Sequence, residues 1–318
     1  MTATKITPQQ LQPINLLVIL GATASGKTNL AVSAARLLQG EIISADSRQV
    51  YRGMDIGSGK DIQEYADIPY HMIDIVNPGD DFDVFAFQQR FVPIFNAIHE
   101  RQHLPILCGG TGMYLDTILR NERMVAAPPN PALRAELAPL SDEELQHYLM
   151  QLEPDQHNRT NLDQRERTLR AIEIAQAKQH SDTSPLIPAL QPLIFGLRWP
   201  RAVLRHRITQ RLQERLQQGL IEEVEQLHRQ GVSWKQLEFY GLEYRFIAQH
   251  LQQQLTRNDM LQKLGSAIHQ FAKRQDTWFR RMERKGCNIH WLDGDQQPLQ
   301  QLIAKVEKYA NKRTSSPS

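Results

Sequence analysis

The chain is poor in cysteine: only Cys108 and Cys287 occur in 318 residues, far apart in sequence. Two such thiols do not make a thiolate-dominated zinc site, and they do not suggest a disulfide-scaffolded extracellular domain. Net charge is also small. Thirty-seven Lys and Arg against 35 Asp and Glu leave +2, so any affinity for nucleic acid has to come from local patches. No apolar run approaches the ~18 residues of a membrane-spanning helix, and no membrane partner is expected. Residues 1–15 lack the basic-then-apolar order of a secretory signal, so a cytoplasmic location is the expectation. No internal repeat is visible. The remainder is an ordinary globular composition, 41% hydrophobic and 23% charged with 17 Gly and 17 Pro, which excludes a wholly disordered or collagen-like chain. The length suits one large domain or two modest ones.

What the chain does have is a rhythm. Residues 16–20, Leu-Leu-Val-Ile-Leu, have the length and branching of a strand buried on both faces. Leu30, Ala31, Ala34, Ala35 and Leu38 then recur at helical spacing over 28–39, and Gly40 stops the helix. Strands are expected at 41–45, 71–75 and 104–108, with a helix at 85–100 burying Phe87, Phe91, Phe95 and Ile98. This alternation predicts an α/β fold with a mostly parallel sheet. Between 121 and 191 the strand runs vanish, and helices are expected at 142–152 and 164–179. Ser141, with Glu144 three positions on, caps the first of them. A strand at 193–197 resumes the core, followed by helices over 201–218, 221–230, 242–254 and 260–285 and a last strand at 288–292. The expected organisation is a discontinuous α/β core at 1–120 and 192–311, with C-terminal helices. A helical insertion domain at 121–191 interrupts it, and a frayed tail follows at 312–318.

Gly21, Ala22, Thr23, Ala24, Ser25, Gly26, Lys27 and Thr28 fit the phosphate-loop pattern in full, between a strand and a helix. There the backbone amides curl round a phosphate and the helix start adds its free N–H groups and positive dipole end. Lys27 neutralises terminal oxygens, and the Thr28 hydroxyl can serve Mg²⁺. The loop alone leaves three chemistries open: phosphoryl transfer by a small-molecule or nucleoside kinase, hydrolysis that drives motion, or use of a substrate's pyrophosphate as leaving group. Asp46, Ser47, Arg48 and Gln49 follow the second strand and so reach the same sheet edge. Asp46 there suits proton removal or orientation of water or metal, with a plain turn cap as the alternative. Gln49 has the donor and acceptor to read a base edge. Gly109, Gly110, Thr111 and Gly112 close a further strand on the same rim, either as a functional or a purely tight turn. Asp74 is a candidate magnesium ligand or a structural hydrogen-bond partner, and His71 leans to structure. Basic residues cluster at Arg159, Arg165, Arg167 and Arg170, at Arg205, Arg207, Arg211 and Arg215, and at 273–285 around Trp278, for which a core position is expected. Several such segments near a phosphate site favour a polyanionic substrate.

Together these residues resemble the bacterial tRNA dimethylallyltransferase (tRNA isopentenyltransferase) family. The likeness runs through the loop at 21–28, Asp-Ser-Arg-Gln-Val-Tyr at 46–51, 68–74, Gly-Gly-Thr-Gly-Met-Tyr at 109–114 and Arg-Ala-Ile-Glu at 170–173. It continues through 219–224 and 272–279, covering about 16–292. The resemblance implies a phosphate-loop nucleoside-triphosphatase/kinase-like core and a magnesium-dependent reaction. In it, dimethylallyl diphosphate gives its dimethylallyl group to the exocyclic amine of the adenine 3′ of the anticodon, and diphosphate is released. The partners it implies are the tRNA anticodon stem-loop and dimethylallyl diphosphate, and a monomer is expected. By the same likeness Asp46, Thr23 and Arg211 are catalytic, and Gly21 to Thr28 bind diphosphate. Asp46, Ser47, Arg48, Gln49 and Thr111, with Gln164, Arg165, Glu166, Arg167 and Arg170 of the insertion, face tRNA. Thr28 and Asp74 are the metal ligands. The sequence departs from the family's usual pattern at 54–61, 161–163 and 239–245, which marks a divergent subgroup.

Overall fold

The computed structural model describes residues 6–154, 165–180 and 187–314. Six strands form one sheet: β1 (Leu16–Gly21), β2 (Gly40–Ala45), β3 (Tyr70–His71), β4 (Leu104–Gly109), β5 (Pro192–Arg198) and β6 (Ile289–Asp293). Their spatial order is β3-β2-β4-β1-β5-β6, and every pairing is parallel. All six residues of β1, β2 and β4 are buried. On one face Leu17, Ile19, Ile42, Ile106 and Phe195 pack with Leu30, Ala31 and Leu38 of α1 (Lys27–Leu38) and with Leu302 and Val306 of α12 (Pro298–Thr314). Phe87, Phe91 and Phe95 line the buried side of α2 (Val84–Glu100), where Phe87 stacks on Tyr114 of α3 (Gly112–Leu119) at 4.1 Å. The central strand β1 has β4 on one side and β5 on the other, so the chain winds outward in both directions from it. In open parallel sheets the crevice beyond the carboxyl end of such a strand is where ligands bind, and here that end leads directly into the phosphate loop.

The third strand is shorter than its expected 71–75. Met72 and Asp74 take left-handed backbone angles, φ 66° and 54°, which breaks the pleat after His71. The N–H groups of Asp74 and Ile75 instead donate to the carbonyls of Gln49 and Val50.

Two compact units form, 1–120 with 188–318, and 121–187. The chain rejoins the first unit at 188 rather than 192 because Asn15 binds the approach to β5: its side chain donates to Ala189 O (2.8 Å) and accepts from Gln191 N (2.7 Å). The tail expected to fray from 312 is helical through Thr314. In the second unit α4 (Pro131–Leu137), α5 (Asp142–Leu152) and α6 (Arg165–His180) bury Leu133, Leu137, Leu145, Leu149, Leu169 and Ile172 together. Ser141 and Glu144 form the expected capping box. Glu173 is buried in this unit and accepts from Asn130 N (3.0 Å), Arg134 Nε (2.7 Å) and Arg170 Nη1 (3.0 Å). Burial opposes its charge, but these donors prevail and hold the carboxyl down at about 2.

After β5, the first unit is helical: α7 (Arg201–Gln217), α8 (Leu220–Arg229), α9 (Trp234–Phe239), α10 (Leu242–Leu251) and the 28-residue α11 (Arg257–Arg284). Glu223 of α8 is a structural clamp. Its carboxylate accepts the backbone N–H groups of Asp55, Ile56 and Gly57 and the Tyr244 hydroxyl, at 2.6–2.9 Å.

Candidate active site

The phosphate loop takes its shape from glycine and close packing. Gly26 caps α1 with a left-handed φ of 87°, a conformation that costs other residues energy. At Gly21 a Cβ would meet Ser25 Oγ at 2.7 Å. Ala22 and Ala24 are buried against Ile208, Leu212, Leu264, Ile268 and Ala272, so α7 and α11 brace the loop from behind. Three side chains hold its backbone: Arg207 Nε donates to Ala24 O (2.9 Å), Trp199 Nε1 to Ser25 O (2.8 Å), and Gln275 Oε1 accepts from Thr23 N (2.8 Å). Over the loop opens a cavity of about 350 Å³ that Gly26, Lys27, Thr28, Asp61, Glu64, Arg207, Arg211 and Arg215 help to line. Burial lowers the Lys27 pKa, while Asp46 raises it. Burial also lowers the Arg215 guanidinium to about 10, and neighbouring Arg211 adds to the effect. Desolvated cations of this kind are stabilised by an arriving polyanion. Lys27 Nζ donates to Ala22 O at 3.4 Å and Arg211 pairs with Asp61.

Asp46 lies on the same rim, within electrostatic reach of Lys27. Its side chain is 16% exposed. One oxygen, Oδ1, accepts the Arg48 N–H at 3.0 Å, fixing the carboxylate as it leaves β2. A hydrogen-bonded chain joins this turn to the phosphate loop. Ser47 N donates to Thr111 Oγ1 (3.1 Å), Gly110 O accepts from Gln275 Nε2 (2.9 Å), and the other end of the Gln275 amide holds Thr23. Gly110 is dictated by this contact, since a Cβ there would lie 2.4 Å from Gln275 Nε2.

The sequence misses Gln275. It lies inside the 272–279 block, but an amide among lysines and arginines gives no sign that α11 will turn it inward. The sequence likewise gives no sign of Trp199, and it marks Arg207 only as one of a basic cluster and Glu243 only within the departure at 239–245. Trp278, expected in the core, is half-buried against Gly112, where a Cβ would lie 2.3 Å from its Cδ1.

Several expected roles are altered by the geometry. Gln49 is buried and its amide is spent internally: Oε1 accepts from Ser44 Oγ (2.8 Å) and Nε2 donates to Gly59 O (3.0 Å). It therefore shapes the turn and does not offer a free edge to a base. Arg48 donates to Glu243 Oε2 (2.8 Å) and lies over the Phe271 ring, which ties the Asp46 turn to α10 and α11. Asp74 is paired with Lys60, a fully buried lysine that also donates to Tyr51 O (2.7 Å) and Asp55 Oδ1 (2.6 Å). No group of three or more His, Cys, Asp or Glu set to hold a metal occurs among the described residues. Asp74 thus serves as the counter-ion of a buried lysine. His71 Nε2 meets the buried Glu41, as its structural reading implies.

In the second unit Arg165 donates to the carbonyls of Leu137, Ala138 and Leu140 and to Asp142, closing the end of α4, and Glu166 pairs with Arg134. These two fasten helices together while Glu166 stays exposed. Arg170 is partly engaged by Glu173, and Arg167 is exposed. Gln164 lies outside the described residues.

Comparison with known proteins identifies the family. A family model described as IPP transferase matches residues 49–282, and one described as isopentenyl transferase matches 14–67. The chain is 63% identical over 290 residues to tRNA dimethylallyltransferase 2 of Syntrophotalea carbinolica, covering 91% of this chain and 97% of that one. It is 51% identical over 292 residues to tRNA dimethylallyltransferase 1 of Hahella chejuensis, at 92% and 96% coverage. Among solved structures, the full-length tRNA isopentenylpyrophosphate transferase of Bacillus halodurans superposes with a TM-score of 0.68 at 30% identity, over 94% of this chain and 99% of that one. A eukaryotic dimethylallyltransferase acting on tRNA shares the fold, with a TM-score of 0.76 at 23% identity over 94% and 80% of the chains. The chain belongs to the IPP transferase family, that of the tRNA dimethylallyltransferases.

Proposed function

We propose that the chain transfers a dimethylallyl group from dimethylallyl diphosphate to the exocyclic amine of the adenine immediately 3′ of the anticodon in tRNA, releasing diphosphate. The observation that carries this reading is the convergence of Asp46 and Lys27 on one sheet edge, coupled through Ser47, Thr111, Gly110, Gln275 and Thr23. A kinase would share the loop and could use such a carboxylate, and it is the 63% identity to a tRNA dimethylallyltransferase that favours the transferase.

The adenine amine is a weak nucleophile because its lone pair is shared with the ring. Turning the base out of the anticodon loop costs a few kcal/mol, less than in a paired duplex. As the amine nitrogen bonds to the allylic carbon, the carbon–oxygen bond breaks and its electron pair leaves with the diphosphate. The nitrogen's proton passes to the free oxygen of Asp46. The loop amides, Lys27 and Arg211 hold the leaving group and stabilise the charge that develops on it. Thr23 is fixed for this by Gln275. Thr28 projects from the first turn of α1 into the loop cavity and fits one ligand position of a magnesium ion, a cation that takes most of its remaining oxygens from phosphate and water. A magnesium ion held there by Thr28 would supply further neutralisation of the leaving diphosphate. No helix among the described residues is long and apolar enough to cross a membrane, which suits work on tRNA in the cytoplasm.

Incubation with isotopically labelled dimethylallyl diphosphate and a tRNA transcript, followed by mass analysis of the anticodon stem-loop, should find the label on the adenine. Transfer of the terminal phosphoryl group of ATP to a small molecule, with no label in tRNA, would reject the reading in favour of a kinase.

A further inference from the structure

Asp61 lines the loop cavity among the groups that would bind diphosphate. It closes the 54–61 stretch in which the sequence departs from the family's usual pattern. Its carboxylate pairs with Arg211 and lies 4.0 Å from the Arg215 guanidinium. Arg211 is also the arginine that holds the leaving group in the proposed reaction. The four cations lining this cavity meet three carboxylates, Asp61, Glu64 and Glu214, an excess of one positive charge. A phosphate group entering the cavity therefore seeks donors that an internal anion already engages.

The backbone fixes this pairing from both sides. Gln49 Nε2 holds Gly59 O (3.0 Å), and the buried Lys60 anchors the next residue to Tyr51 O. Asp61 O accepts from Glu64 N (2.8 Å) at the start of the short 3-10 helix Ile62–Tyr65. Asp61 itself takes a left-handed φ of 45°, a conformation that Asp and Asn tolerate better than most residues. A Cβ on Gly59 would lie 1.8 Å from Arg215 Nη2 and 3.0 Å from Arg211 Nη2, so the glycine lets both guanidiniums reach across the turn. The pair is weak nonetheless. The side chains of Arg211 and Asp61 are 31% and 36% exposed, and ion pairs this open to water contribute little. Phosphate oxygens offer a guanidinium strong charge-assisted bonds of their own, so one anion can replace the other in either direction.

This exchange bears most on the product. Diphosphate leaves the carbon with one more negative charge than it carried as an ester, and cations placed to stabilise that charge as it develops also hold the finished product. In many enzymes it is release of product that limits turnover.

We infer that Asp61 is an internal competitor for the diphosphate: it contends with the phosphate oxygens for Arg211, loosens the hold on the product and speeds its release. The inference rests on the diphosphate-binding role of the loop proposed above and adds the residue that sets how long the product stays.

The test is calorimetric titration of the full-length protein with inorganic diphosphate, with and without magnesium. Asp61→Asn keeps the size and backbone preference of the residue and removes its charge. If Asp61 engages Arg211 for about nine-tenths of the time, removing the competitor tightens diphosphate binding about 10-fold in both buffers. The gain should vanish in an Arg211→Ala background, since the two residues act as one unit. Asp61→Ala should tighten binding in the same sense. In turnover, kcat and KM for dimethylallyl diphosphate should fall together in Asp61→Asn, with stronger inhibition by added diphosphate. A residue that only oriented Arg211 would give the opposite sign, so diphosphate binding unchanged or weakened in both variants would overturn the inference. Weakening seen only with magnesium would also overturn it, by making Asp61 a ligand on the metal side. The titration involves no tRNA and no chemistry. A wild type that binds diphosphate but leaves tRNA unlabelled would therefore count against the proposed reaction and not against the competition at Arg211.

Discussion

A carboxylate works as a proton acceptor when one oxygen is fixed and the other is free, and Asp46 has this arrangement: Oδ1 is held by the Arg48 N–H. Asp46→Ala should lower turnover by about 100-fold or more, the usual loss for a positioned acid–base group, with tRNA affinity unchanged. Near-normal single-turnover rates would remove the role. Lys27 acts on a different quantity. Because burial disfavours its charge in the free protein, its interaction with the diphosphate is realised on binding. Lys27→Ala should therefore raise KM for dimethylallyl diphosphate by at least 10-fold, about 1.4 kcal/mol, and an unaltered KM would deny the contact. Gln275 is a positioning residue. Replacing it by Ala strands the Thr23 N–H and the Gly110 carbonyl at a cost of about 1–3 kcal/mol per buried group. The expected result is a fall in kcat of about 10-fold or more with little change in tRNA affinity, together with a lower melting temperature. A lower melting temperature with kcat intact would reduce Gln275 to a stabilising contact. Of these three residues, Lys27 and Asp46 are legible in sequence because each belongs to a local motif. Gln275 reaches its partners across 252 and 165 residues, and no local pattern encodes that.

At the scale of elements, continuous apolar runs mark β1, β2, β4 and β5 because a parallel sheet buried on both faces needs them. Ser141 with Glu144 marks the start of α5 through local hydrogen bonds. The short helices α4 and α9 and the truncation of β3 escaped notice, since their limits are set by tertiary partners such as the Lys60–Asp74 pair. Elements are also joined by buried charge. Glu41, at the start of β2, is 2% exposed and accepts from Arg101, His71 and His103 at 2.7–2.8 Å. Burial alone would raise its pKa, but these bonds hold it at about 2 against an ordinary 4.5. The folded pKa is depressed, so the stability Glu41 contributes is fully present above pH 4.5 and is lost as pH falls towards 2. Glu41→Gln should cost about 2 kcal/mol near neutral pH, within the range for disrupting a buried polar network. Urea midpoints of variant and wild type should converge as pH drops through that window, and a gap independent of pH would show that the carboxylate charge is not the source.

At the scale of the molecule, a nearly neutral chain handles a polyanion by sorting its charges into separate surfaces. The insertion contributes Arg167, which is exposed, while Arg165, Arg134 and Glu173 are committed to holding their own helices together. Arg167→Ala should weaken tRNA binding with a smaller salt slope, by between about 0.7 and 0.9 for one phosphate contact. Equal slopes would place that arginine away from the RNA.

The sequence by itself determined the parallel α/β core, the helical insertion, the phosphate loop and the acid-bearing turn, because periodicity, capping and short motifs depend on neighbours along the chain. Tertiary structure alone decided which polar groups remain available. It spent Gln49 and Arg165 on internal hydrogen bonds, gave Asp74 to Lys60, and turned Gln275 inward between two glycine turns. It also set Asp61 against Arg211 in the loop cavity. The physical reason is that a side chain's partners in space, and not its neighbours in sequence, determine whether a donor or a charge is already satisfied.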